Sequence, residues 1–201
     1  MQPARRLGVL GGSFNPPHLG HLMVASVACG QLGLERVVFV PAATPPHKVV
    51  ADHTPAGLRF ALTEAATAED ARFTVSAVEM DLDLAYTSDV LEALHERYAG
   101  AAFVFLMGSD SLLQFGSWRE PEVILEQASL AVARRPADAL EEVTAAARRW
   151  GEDRVSVLDT PLVGISSTDV RRRVRERLPI RYLVPPAVEE LIRRHRLFTG
   201  S

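Results

Sequence analysis

Residues 7–10, Leu7-Gly8-Val9-Leu10, run directly into Gly11-Gly12-Ser13-Phe14-Asn15-Pro16-Pro17-His18-Leu19-Gly20-His21 and then into an apolar segment with Leu22, Ala25 and Val27. A short aliphatic run, a glycine-rich turn and a helix-forming segment, in that order, make a strand-turn-helix unit. Glycines let backbone amides approach an anion closely, and the helix that follows offers its positive N-terminal end. The turn is therefore a candidate phosphate site. It lacks the lysine and spacing of a P-loop and the third glycine of a dinucleotide fingerprint. His18 and His21 lie three apart, so the expectation is that both rings project from one face of a helical turn beside those amides.

The same pattern recurs along the chain. Apolar runs at 7–10, 37–40, 73–75, 102–107, 130–133 and 155–158 read as buried strands. Segments with helical periodicity lie between them, with start signals at Thr54-Pro55 and Ser88-Asp89. Alternation of this kind implies an α/β fold, a parallel sheet with helices on both faces, whose ligands sit beyond the carboxyl ends of the strands. No repeat or linker interrupts the pattern, so residues 1–201 read as a single domain with a small C-terminal helical part at about 166–198. That part holds an Arg-rich helix from about Ser167 and a last helix begun by Pro185-Pro186, and it is expected to pack back on the sheet.

Composition narrows the function classes. Hydrophobic residues at 47% and charged residues at 23% describe an ordinary globular chain rather than a disordered one. The longest apolar run, residues 101–107, falls far short of the ~20 residues of a membrane span, and no apolar leader follows the basic start, so a cytoplasmic protein is expected. A net charge of -3 gives no global attraction to nucleic acid. Cys29 is the sole cysteine and reads as a small core hydrophobe. Trp150, His53, His95 and His195 have no partner motif and read as structural or surface residues. A homo-oligomer is compatible with all of this.

A second anion site is expected near the other end of the chain, at Ile165-Ser166-Ser167-Thr168-Asp169-Val170-Arg171. Ser167 or Thr168 suits an N-cap, and Arg171, one turn on, could grip a phosphate with its planar fork. Arg172, Arg173, Arg175 and Arg177 read as a solvated basic face. Two such sites make sense when one polyphosphate spans both, and ATP fits that description.

The first-turn sequence Gly-Ser-Phe-Asn-Pro-Pro-His-Leu-Gly-His resembles the signature of the nucleotidyltransferase superfamily with the His-x-Gly-His motif, and Ile165 to Arg171 resembles its second motif. That resemblance implies a Rossmann-like nucleotidyltransferase fold and nucleotidyl transfer. Pro45-Pro46-His47-Lys48, Tyr86-Thr87, the segment from Gly108 to Leu113, Trp118-Arg119-Glu120 and Arg134-Arg135-Pro136 further resemble the bacterial nicotinate mononucleotide adenylyltransferases, over nearly the whole chain. The resemblance implies ATP and nicotinate mononucleotide as substrates, with Mg²⁺ carried on the ATP phosphates and no protein-held metal. It implies that His18, His21 and Arg171 are the catalytic groups. Gly11, Gly12, Ser13, Phe14, Gly20, Gly108, Asp110, Ile165, Ser166, Ser167 and Thr168 would bind ATP with them. Asn15, His47, Lys48, Tyr86, Thr87, Asp110, Trp118, Arg119 and Arg134 would bind the acceptor.

Several of these residues suit such an acceptor on chemical grounds. Lys48 is the only lysine among 22 basic residues and supplies a compact ammonium for a phosphate. Trp118 offers a flat face to an aromatic ring, backbone amides near Thr87 and Arg119 could read a carboxylate, and Asp110 can accept from ribose hydroxyls. Nicotinamide mononucleotide and pantetheine phosphate remain alternative acceptors. A non-catalytic ATP-binding sensor is the alternative of a different class, disfavoured because a sensor needs affinity but not groups aimed at a transition state. A fragment of a class I aminoacyl-tRNA synthetase would also carry a His-x-Gly-His element but calls for a basic surface this chain lacks.

Overall fold

The computed structural model describes residues 5–43 and 54–200. Chain order runs β1 (Arg6–Gly12), α1 (Leu19–Leu32), β2 (Arg36–Pro41), α2 (Ala56–Thr67), β3 (Phe73–Val75), α3 (Val78–Leu82) and α4 (Thr87–Arg97). It continues through β4 (Ala102–Gly108), α5 (Ser109–Leu113), a single 3-10 turn (Phe115–Ser117), α6 (Pro121–Gln127) and β5 (Ala128–Ala133). The remainder is α7 (Leu140–Arg149), β6 (Val155–Leu158), α8 (Ser167–Arg175) and α9 (Pro186–Arg194). All six apolar runs are strands. They form one sheet in the order β3-β2-β1-β4-β5-β6, every pair parallel.

Strand order reverses between β1 and β4, since the chain steps outward from β1 through β2 to β3 and then returns to β4 on the other side of β1. At such a switch point the two neighbouring loops leave in opposite directions and a crevice opens between them. The glycine-rich turn after β1 and the Gly108 loop after β4 flank that crevice.

Successive side chains of a strand point to opposite faces, and here both faces are covered, which explains the unbroken apolar runs. Val38, Val40, Phe103 and Phe105 pack beneath α4, α6 and α7, with Leu91, Leu94, Ile124 and Val143. Val37, Phe39, Val104 and Leu106 pack on the other face against α1, where Ala25, Ala28 and Cys29 are buried. His95 is structural: its Nε2 lies 2.9 Å from the Gln127 carbonyl and its ring packs against Phe103.

Two local expectations are corrected. Ser88 does not start α4, which begins at Thr87; the Ser88 hydroxyl turns instead toward Glu120 (3.3 Å). The C-terminal helices do not lie on the sheet. Val170, Ile180, Val184, Val188, Ile192 and Phe198 form a third apolar cluster with Leu62 and Ala66 of α2. The outer side of α2 is apolar enough to need its own cover, and the tail provides it.

Leu91 is fully buried in the larger cluster and far in sequence from the glycine turn. Leu91→Ala should lower unfolding free energy by about 2–5 kcal/mol through lost transfer energy and a residual cavity. Urea denaturation should show a reduced midpoint with an unchanged slope.

Candidate active site

A cleft of about 640 Å³ opens at the carboxyl edge of the sheet. Both predicted anion sites line it: Gly11, Gly12, Ser13, Asn15, His18, Gly20 and His21 from the first turn, and Ile165, Ser166, Ser167, Thr168 and Arg171 from the second. The two are tied directly. Ser167 Oγ donates to the Pro16 carbonyl (2.8 Å), and an Arg171 guanidinium nitrogen donates to the Asn15 carbonyl (2.8 Å).

The cap of α8 is Ser166, not Ser167 or Thr168. Its hydroxyl accepts from the Asp169 amide at 3.1 Å. The capping position passes one residue upstream because Ser167 is occupied in bridging to Pro16. Arg172 and Arg173 pair with Asp169, and Arg172 also with Glu176, at the surface.

The histidines are arranged differently from two rings side by side on a helix. His18 is extended (φ −144°) at the N-cap of α1, and its ring stacks on that of His21 with centroids 3.7 Å apart and planes 25° apart. The His18 backbone N–H donates to His21 Nδ1 (3.1 Å). A nitrogen that accepts from a peptide N–H carries no proton, so neutral His21 bears its proton on Nε2. Gly20 explains its own place between them: a Cβ there would lie 3.0 Å from His18 Nδ1 and 3.1 Å from His18 Cε1, against the stacked ring.

Burial holds both rings neutral. His18 is pushed down to about 4, by burial first and then by the charge of Arg135. His21 is lowered well below its ordinary value by burial, then by His18 and Arg135. At neutral pH the pair therefore supplies N–H donors rather than cations. Phe14 does not line the cleft. Its ring is buried against His21 (5.0 Å, 70°) and Phe39 (5.8 Å), supporting the histidine from beneath.

On the β4 side, Gly108, Ser111 and Trp118 reach the cleft, as do Arg134 and Arg135 from the loop after β5. Asp110 is ion-paired to Arg135 at 2.8 Å and is not part of the lining. A Cβ on Gly108 would come within 2.5 Å of the Asp110 carboxylate, so a larger residue there would push that side chain aside. The post-β5 loop is stapled in place: buried Ser109 donates to Asp138, accepts from the Arg135 amide (2.8 Å), and Arg134 donates to the Asp138 carbonyl (3.0 Å). Trp118 is oriented by steep contacts with Phe105 (6.1 Å, 81°) and Phe115 (5.5 Å, 64°).

Tyr86, Thr87 and Arg119 are not brought into the cleft lining. The Arg119 guanidinium covers the Tyr86 ring at 4.3 Å and pairs with Asp89 (3.7 Å) and Glu120 (3.5 Å). His47 and Lys48 lie outside the described residues. Arg135 was missed by sequence reasoning as a site residue. The Arg134-Arg135 doublet was its signal, but adjacent residues point apart, and only the loop's hydrogen bonds decide which guanidinium faces the histidines. Among the described residues no group of three His, Cys, Asp or Glu side chains could hold a metal ion.

Residues 9–173 match the model of the cytidylyltransferase-like family. A protein of Thermomicrobium roseum named "Probable nicotinate-nucleotide adenylyltransferase" is 44% identical over 195 residues, 96% of this chain and 91% of that protein. One of the same name from Thermus thermophilus is 43% identical over 194 residues, 96% of this chain and 99% of its own length. Among solved structures, the Plasmodium falciparum nicotinic acid mononucleotide adenylyltransferase complexed with NaAD superposes with a TM-score of 0.80 at 18% identity, covering 98% of each chain. The last likeness concerns the fold.

The stacked pair makes stability depend on pH with a definite sign. Both folded-state values lie below the free-histidine value, so between pH 6.5 and the folded values the unfolded chain binds more protons than the native one. Stability is complete above about pH 6.5 and falls as pH drops toward about 4. Guanidinium midpoints measured across that window should decline in the parent protein and decline less in His18→Gln/His21→Gln.

Proposed function

Because the chain belongs to the cytidylyltransferase-like family, we propose that it transfers the adenylyl group of ATP to nicotinate mononucleotide, forming nicotinate adenine dinucleotide and pyrophosphate. The observation that carries this reading is the joining of two anion sites, 151 residues apart at their Ser167–Pro16 contact, along one cleft. A single phosphate would need only one of them. The names and near-complete overlap of the curated relatives support the acceptor.

In such a transfer a phosphate oxygen of the acceptor attacks the α-phosphorus in line, one P–O bond forming as the bond to the α,β-bridging oxygen breaks. Pyrophosphate leaves with that electron pair, so no covalent nucleophile is needed. Catalysis then rests on positioning and on donors aimed at developing charge. His21, with Nδ1 occupied, offers Nε2–H, and His18 stacks beside it. Gly11 to Ser13 line the cleft where the α and β phosphates would lie, while Ser167, Thr168 and Arg171 receive the pyrophosphate. Mg²⁺ enters as part of the ATP substrate. Trp118 gives the acceptor ring a fixed plane, with Arg134 and Arg135 on the same side of the cleft. A cytoplasmic setting fits a reaction that consumes ATP.

Pyrophosphate release should be measured in parallel with nicotinate mononucleotide, nicotinamide mononucleotide and phosphopantetheine. Turnover with the first is expected; turnover with phosphopantetheine alone would overturn the assignment, and ATP binding without turnover on any acceptor would make the protein a sensor. His21→Ala should cut turnover by ~10² or more, as loss of one transition-state donor does, while costing no more than about 1–2 kcal/mol of stability. A His21→Ala chain that unfolds would assign the ring a structural role instead. Trp118→Ala should raise KM for the acceptor far more than KM for ATP, and equal increases would refute stacking.

A further inference from the structure

Among the described residues, Arg59 on α2 is the largest side chain with no exposure to solvent. No motif around it in the sequence sets it apart from the other arginines. Its guanidinium has no carboxylate in direct contact among the described residues; it donates instead to three backbone carbonyls, Ser13 (2.9 Å), Ala43 (3.0 Å) and Thr54 (3.1 Å). A buried charge is costly unless every donor is used, and only the planar fork of arginine reaches several acceptors at once.

The position of those carbonyls shows what the charge is for. β1 and β2 pair as far as Gly12 and Pro41, and the next rung is the Ala42 amide donating to the Gly12 carbonyl (2.9 Å). Beyond it the two backbones diverge, and the guanidinium takes over the ladder by holding Ser13 and Ala43 together. On its other side, Ala43 donates to the carboxylate of Glu79 (3.0 Å), so this residue is gripped through both its polar groups.

The consequence falls on the phosphate turn. In a trans peptide the carbonyl and the following N–H point in opposite directions. Holding the Ser13 carbonyl on the α2 side therefore turns the Phe14 N–H the other way, and that N–H has no acceptor among the described residues. Phe14 also sits at φ 43°, a left-handed conformation that an aromatic residue adopts only where its surroundings enforce it. We infer that Arg59 is a positioning residue for the transfer reaction: it locks the Ser13–Phe14 peptide so that the glycine turn presents its amides, and His21 above Phe14, to the triphosphate. This rests on the reading of the cleft as an adenylyl-transfer site and adds a residue that touches neither substrate.

Arg59→Met and Arg59→Lys, with Leu62→Ala as a control buried on the same helix, separate positioning from folding. Kinetics are taken at a temperature where circular dichroism shows each variant fully folded. Arg59→Met should lower kcat by about 10–100-fold, as sub-ångström to ångström misplacement of catalytic groups does, with a smaller rise in KM for ATP. Arg59→Lys should recover part of that loss, and Leu62→Ala should keep kcat despite a lowered Tm. In the substrate-free proteins, NMR hydrogen exchange of the Ala42 amide should accelerate in both Arg59 variants and not in Leu62→Ala. Unchanged Ala42 exchange, or an Arg59→Lys kcat equal to that of Leu62→Ala, overturns the proposal; if Arg59→Met does not fold, Arg59→Lys decides by the same criteria. Should the parent protein turn over no acceptor, the functional reading fails by itself, while Ala42 exchange and calorimetric ATP binding still judge Arg59.

Discussion

The site exists because side chains near one end of the chain donate to backbone carbonyls near the other. Ser167 reaches the Pro16 carbonyl and Arg171 the Asn15 carbonyl. These bonds bring the start of α8 to the start of α1, so two helix N-termini face one cleft. Without them each turn would be a weak, solvated anion site. Charge-assisted and hydroxyl donors to carbonyls give this junction direction, which apolar packing of the tail on α2 alone would not.

The electrostatics of the cleft follow from that closure. Burial keeps His18 and His21 uncharged, and the His18 amide assigns the proton of neutral His21 to Nε2. Cations are supplied instead by arginines held in place by their own hydrogen bonds: Arg171 on Asn15, Arg134 on Asp138, and Arg135 on Asp110. A polyphosphate entering such a site meets donors already oriented, and little reorganisation is required as charge shifts during transfer. Buried Arg59 extends the same economy to the backbone, since one guanidinium orients carbonyls on both sides of the strand divergence.

Much of this was legible from residue order. Six apolar runs predicted six strands, and their alternation with helical segments predicted a parallel sheet, because a strand buried on both faces has no polar side to show. Gly11 to His21 and Ile165 to Arg171 stood out for the same local reason: glycines, caps and histidines have chemistry that does not depend on distant partners. Less local matters were misread. The α8 cap is Ser166 rather than Ser167 or Thr168, with Ser167 held by a partner far away in sequence, and the tail chose α2 over the sheet because of the outer apolar side of that helix.

Sequence alone determined the class of fold, the two anion-binding motifs and the chemistry they suit, since these rest on periodicity and on the intrinsic properties of residues close together in the chain. Tertiary structure alone decided that the motifs share a cleft, that the histidines stack as neutral rings, that Arg135 rather than its neighbour sets their field, and that Arg59 is spent on carbonyls. Each of those outcomes depends on which groups lose water together and which hydrogen bonds replace it. That is a property of the packed chain as a whole, and no window along the sequence contains it.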